Sequence, residues 1–196
     1  MRFSPNLVRL LAGALFIGSA AASNAETVAE FSPQEAKSLG WQIVNDGVMG
    51  GLSKGQLDVS DEGILTFKGL LSLRNNGGFS SLRSKSLKMD LGDAGGVKLR
   101  VRGDGRTYQM RFNTDARFRG MEISFKADFK TRKGEWVEVT LPFDRFVGSF
   151  RGMTLGNEKF DPSKISRVGM LIADKKEGAF QLQVDWIRPL RFLEPD

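Results

Sequence analysis

An all-β sandwich is the fold class this sequence predicts, preceded by an N-terminal leader and one short helix. Three observations predict it. Apolar residues recur with a period of two over most of the chain after Trp41. Glycine is frequent, 23 residues against 6 prolines, as in proteins built from many tight turns. The 196 residues are 40% hydrophobic and 27% charged, and at this length one core buries about 70% of the unfolded surface without needing disulfides.

The leader comes first. Arg2 and Arg9 precede an apolar run from Leu10 to Gly18, which is short of the roughly 20 residues that span a bilayer. Ser23-Asn24-Ala25 fits a small-x-small cleavage site. Residues 1–25 therefore read as a signal peptide cut after Ala25, with Ala22 as the second choice, and 26–196 as a single domain. That leader predicts an exported protein, periplasmic or secreted, and not an integral membrane protein after cleavage. It carries two Arg and no acid, so cleavage lowers the net charge from +6 to +4.

The helix follows. Ser32-Pro33-Gln34-Glu35 reads as a capping box with proline at the first helical position, and Gly40 ends it. Strand patterns then dominate. Val97, Leu99 and Val101 alternate with Lys98, Arg100 and Arg102; Asp104-Gly105 predicts a hairpin turn; Tyr108, Met110 and Phe112 alternate back. Further strands are predicted at Met121–Phe125 and at Val137–Leu141. Ser166–Ala173 is nearly all apolar and reads as a central strand. In the final strand Phe180, Leu182, Val184 and Trp186 share one phase. About ten strands result. Pro142–Lys164 shows no clear period, so it is either a functional loop or a pair of irregular strands.

Composition excludes several chemistries. No Cys and no His are present, which removes thiol nucleophiles, histidine triads and Cys- or His-ligated metals. There is no phosphate-loop motif, and Gly103-Asp104-Gly105 lacks the third glycine of a dinucleotide fingerprint. Asp46, Glu122, Asp174 and Asp185 are the candidates for carboxylate-based glycoside cleavage, set against the ordinary solvated role of strand carboxylates. The expectation is a protein with no catalytic residues.

Two glycine-rich segments stand out. Asn45-Asp46-Gly47-Val48-Met49-Gly50-Gly51-Leu52-Ser53 surrounds a buried-looking Val48-Met49 pair, and Asn75-Asn76-Gly77-Gly78-Phe79-Ser80-Ser81-Leu82-Arg83 repeats the theme. Such glycine density serves positive φ or close backbone approach. Two readings stand: elaborate turns, or a ligand-binding rim of Asn45, Asp46, Gly50, Gly51, Asn75, Asn76 and Arg83.

These motifs resemble the complex I intermediate-associated protein 30 family. The similarity runs through Trp41 with Asn45–Ser53, Asn76–Arg83, Asp104-Gly105-Arg106-x-Tyr108, Leu141-Pro142-Phe143-x-x-Phe146, Phe150-Arg151-Gly152, and Gly178 to Ile187. It covers about residues 31–190. The resemblance implies a galactose-binding-like jelly-roll β-sandwich and a chaperone-like, non-enzymatic role in assembling NADH:ubiquinone oxidoreductase. The partner it implies is a protein, a membrane respiratory complex. The alternative is a carbohydrate-binding module of the cell envelope, with a glycan as ligand. Jelly-roll modules of this type also suggest a structural calcium, here at Asp185 with Asp46; no other cofactor is expected.

A second candidate surface is a basic face. Lys98, Arg100, Arg102 and Arg111 share the polar phase of two strands expected to be adjacent. They form either a solvated face paired with an acid such as Glu122, or a seat for anionic lipid or polysaccharide. Nucleic acid is not expected, because no aromatic–basic stacking motif is present. Trp136, out of phase with Val137 and Val139, is the stacking candidate for a sugar, while Trp186 reads as core.

Overall fold

A computed structural model describes residues 27–191. The predicted leader, 1–25, lies outside them. The described chain is a sandwich of two antiparallel sheets. Its strands are β1 (Ala29–Glu30), β2 (Gln42–Asn45), β3 (Lys54–Val59), β4 (Leu65–Leu71), β5 (Ser80–Arg83), β6 (Gly96–Gly103) and β7 (Thr107–Phe118). The remaining strands are β8 (Met121–Lys130), β9 (Trp136–Pro142), β10 (Val147–Phe150), β11 (Met153–Leu155), β12 (Arg167–Ile172) and β13 (Gly178–Leu190). The first sheet runs β3-β4-β13-β6-β9, with β1 also on β13; the second runs β11-β10-β8-β7-β12-β5-β2.

The period-two pattern explains the two layers. Phe67, Val97, Leu99, Val101, Phe180, Leu182 and Val184 of the first sheet face Leu82, Met110, Phe112, Phe125, Val168 and Met170 of the second, all essentially inaccessible to solvent. Burying each such side chain stabilises the fold by about 1.5–3 kcal/mol. Phe160, from the irregular stretch, plugs one end of the core against Phe112, Phe125, Phe143 and Phe146.

The helix α1 (Pro33–Leu39) forms as its capping residues require. Ser32 Oγ accepts the Glu35 N–H at 3.3 Å, and Gly40 closes the helix in the left-handed region. Ser166–Ala173 contains β12, a central strand between β7 and β5 as predicted. The stretch 142–164 contains the short strands β10 and β11, so the reading as irregular strands holds.

Two predictions are corrected. Asp104-Gly105 does not close a hairpin. β6 and β7 belong to different sheets, and the turn carries the chain across the sandwich. Trp186 is only half-buried. A bulge between Val184 and Trp186 inserts one residue into β13, so Ile187 takes the core phase instead.

Candidate functional site

The two glycine-rich segments meet at one end of the sandwich, and Asp46 joins them. Asn45 ends β2, and Asp46 opens a single 3-10 turn, Asp46–Met49. That turn directs the Asp46 side chain inward, where it is fully buried. Its carboxylate accepts the Ser53 N–H at 2.9 Å, the Ser53 hydroxyl at 2.5 Å, the Gly78 N–H at 2.6 Å and the Phe79 N–H at 3.2 Å. Burial pushes the Asp46 pKa up. The bonds from the Ser53 hydroxyl and from the Gly78, Ser53 and Phe79 amides outweigh it and hold the carboxyl below its ordinary value. Asn45 works alongside: its Oδ1 accepts from Gly55 N at 3.0 Å and from Ser80 Oγ at 2.7 Å, tying β2 to β3 and β5.

Glycine is needed here mainly because the carboxylate is so close. A Cβ on Gly51 would sit 2.3 Å from Asp46 Cγ, and one on Gly77 would sit 2.6 Å from Asp46 Oδ2. Gly50 differs: its φ is +86°, with nothing near a Cβ. Asn75 and Asn76 both adopt positive φ, and Asn75 Nδ2 donates to the Gly50 carbonyl at 3.3 Å. The rim amides of Ser53, Gly78 and Phe79 thus already hold an anion, which is the chain's own carboxylate.

The turn that buries Asp46 expels its neighbours. Val48 is 75% exposed and Met49 60% exposed, correcting their reading as a buried pair. Leu52, Leu70 and Leu73 are exposed as well. The loop bearing Leu52 is bonded to the end of β4 through Ser53 Oγ, which accepts from the Ser72 amide at 3.0 Å. The five apolar residues therefore all belong to segments that Asp46, Ser53 and Ser72 tie together.

The predicted basic face divides between the sheets. Arg100, Arg102 and Trp136 come together on the outer face of the first sheet, where both guanidiniums lie within about 5 Å of the Trp136 ring centroid. The sugar-stacking candidate is thus already occupied by the protein's own cations. Lys98 pairs with Glu138 at 2.6 Å, Arg100 pairs with Asp185, and Arg102 donates to Gln183 Oε1 at 2.7 Å. Arg111 lies on the second sheet, because its strand crossed the sandwich. It meets Arg83 there: β12 runs between their strands, and Gly169 pairs in register with both. Arg83 belongs to this face and not to the rim.

The carboxylate candidates are dispersed. Asp46 is in the rim, Asp185 on Arg100, Glu122 on Arg167 at 2.6 Å, and Asp174 on Arg106 at 2.6 Å. Asp185 and Asp46 are not brought together, and among the described residues no group of three or more acids could hold a metal ion.

One constellation escaped the sequence reading. Arg106 clasps Asp174 through two nitrogens and also donates to the Ala179 carbonyl at 2.9 Å. Asp104 accepts the Tyr108 hydroxyl at 3.0 Å and the Gln181 amide at 2.8 Å. Burial, then the nearby Asp104 carboxylate, pushes the Tyr108 hydroxyl well above the usual phenol range. The Asp104-x-Arg106-x-Tyr108 spacing was visible, but its partners are about 70 residues away. It latches the crossover to the start of β13.

Fold and geometry define a two-sheet antiparallel β-sandwich protein of the kind seen in carbohydrate-binding modules. The family 11 carbohydrate-binding module of a cellulosomal cellulase of Clostridium thermocellum superposes with a TM-score of 0.61 at 15% identity, over 80% of this chain and 91% of that one. An agarase superposes with a TM-score of 0.54 at 14% identity, over 86% of this chain and 25% of that one. At such identities the likeness is one of fold. The family model for complex I intermediate-associated protein 30 matches residues 29–184, and the chain belongs to that family. It is 31% identical to the mitochondrial complex I intermediate-associated protein 30 of Mus musculus over 53% of this chain and 32% of that protein. It is 25% identical to the Drosophila melanogaster protein of the same name over 75% of this chain and 57% of that protein. The chain thus spans between a third and somewhat over half of the curated relatives it matches. These relatives are mitochondrial, which overturns the expectation of an exported, periplasmic or secreted protein; the leader on which that rested lies outside the described residues.

Proposed function

We propose that this protein is a non-enzymatic binding factor that docks a protein partner on its apolar rim, as a chaperone-like factor in assembly of NADH:ubiquinone oxidoreductase. One observation carries the reading: Val48, Met49, Leu52, Leu70 and Leu73 are all exposed on the segments that Asp46, Ser53 and Ser72 join. Monomeric proteins seldom leave such apolar groups in contact with water unless a partner covers them. Family membership supplies the partner class. The non-enzymatic reading is supported by the four candidate carboxylates, Asp46, Glu122, Asp174 and Asp185, each of which is engaged by internal donors or by a cation.

The test is a cross-linked pull-down of the full chain from its own cells, read by mass spectrometry. The parent is expected to recover subunits of the oxidoreductase. A Val48→Asp/Met49→Asp variant is expected to recover at least tenfold less while melting at the same temperature. Absence of those subunits from the parent, or equal recovery by the variant, would overturn the reading.

A glycan-binding role is the second reading. The observation favouring it is the outer face of the second sheet, a broad polar surface carrying Gln42, Gln109, Asn113 and Ser124. A saccharide that raises the melting temperature would support it.

A further inference from the structure

Arg83 and Arg111 form a pair of cations that no carboxylate among the described residues bonds directly. Their inward neighbours Leu82, Met110 and Phe112 are in the core, so both arginines stand on the outer face of the second sheet. Gly169 lies between them, opposite each in strand register, and Lys126 pairs with Arg111 on the far side. Any larger residue at 169 would fill the space: its Cβ would lie 3.7 Å from Arg83 Cγ and 2.7 Å from the Leu82 carbonyl. The glycine keeps the gap between the two arginines open.

Hydrogen bonding is incomplete at this gap. Arg111 donates one terminal nitrogen to Ser124 Oγ, but its Nε is buried with no acceptor. Arg83 makes no side-chain hydrogen bond or ion pair among the described residues. Acids nearby do not fill the gap. Glu122 is held by Arg167, and Asp128 acts on Arg111 only through its field. Burial, then the charge of Arg83, pulls Arg111 down to about 10. Burial, then Arg167, lowers Arg83, with the field of Glu122 opposing them. In the neighbouring cleft by Met89 and Thr114, two of the lining cations, Lys164 and Arg167, are paired with Asp115 and Glu122.

We propose that the outer face of the second sheet binds an oxyanion, a carboxylate or phosphate group of a small ligand, between Arg83 and Arg111 above Gly169. A neutral acceptor would satisfy Nε but leave the two like charges facing each other. An oxyanion does both, and the planar guanidinium fork suits two-point contact with it. This site is separate from the apolar rim and does not depend on the protein-docking reading.

The test is thermal melting and NMR of the arginine Nε resonances of the full chain, titrated with inorganic phosphate or glucuronate against chloride at matched ionic strength. Phosphate, glucuronate or both are expected to raise the melting temperature above the chloride control and to shift the Arg111 Nε signal. A response to phosphate alone assigns a tetrahedral group, and a response to glucuronate alone assigns a carboxylate. R83Q is expected to melt no lower than the parent in chloride, because it relieves repulsion, and to lose the anion-specific increment. R111K keeps the charge but not the fork and is expected to weaken binding at least tenfold; should it misfold, R83Q decides. Equal effects of all three anions, or an increment retained in R83Q, would overturn the proposal. So would a drop in the chloride melting temperature of R83Q, which would make Arg83 a structural residue.

Discussion

The Asp46 carboxylate and the Gly78 amide, 32 residues apart in sequence, are joined by a hydrogen bond of 2.6 Å. Together with the Ser53 and Phe79 amides this bond makes the two glycine-rich segments one unit. Asp46→Asn is expected to cost about 2–4 kcal/mol, because a carboxamide presents a donor to amides that need an acceptor. Chemical denaturation of the variant measures it.

Acid should unfold the protein through the same group. Asp46 and Asp174 are both held below the ordinary carboxylate value. As pH falls through about 3.9 the unfolded chain takes up these protons first. Their stabilisation is therefore complete above that pH and is lost as pH falls through the lower folded-state values. Melting temperature against pH checks this, and Asp46→Asn should flatten the acid limb.

The glycines of the rim should rank in a definite order. Gly50→Ala suffers only its positive φ and is expected to cost about 1 kcal/mol. Gly51→Ala must push the Asp46 carboxylate aside and is expected to cost more, about 2–4 kcal/mol. A smaller loss for Gly51→Ala would show that the rim opens easily.

The crossover latch can be cut at one residue. Asp174→Asn leaves a largely buried Arg106 without its ion pair and is expected to cost about 3–5 kcal/mol. Equilibrium unfolding reads the loss, and hydrogen exchange at Gln181 should rise with it.

Trp136 should matter for stability. Its ring carries Arg100 and Arg102, so Trp136→Ala is expected to lower stability by about 1–2 kcal/mol from lost cation–π contact and packing.

The strands and helix were legible because their signals are local. Val97, Leu99 and Val101 alternate in the sequence as they do in the sheet, and Ser32 caps a helix three residues away. Whether a turn closes a hairpin or crosses between sheets is decided elsewhere. Asp104-Gly105 looks like a hairpin, but Arg106 and Tyr108 find their partners at Asp174 and Asp104, with Asp104 also holding Gln181. The same crossover moved Arg111 from the expected basic stripe to Arg83. The bulge that displaced Trp186 adds one residue with no compositional mark. Rim geometry was half legible: glycine density announced close approach, but nothing local showed that the approaching group is Asp46, or that sheltering it would expose Val48 and Met49.

β13 lies between β4 and β6 and also carries β1, so every other strand of its sheet connects through it. It is also the last strand of the described chain to be synthesised. Until residues 178–190 have left the ribosome, β4 and β6 have no strand between them and their apolar faces have no sheet to belong to. The β3–β4 and β6–β9 pairs must wait as separate fragments, and contacts this distant in sequence form slowly. The first sheet is therefore completed only after synthesis has passed its final strand.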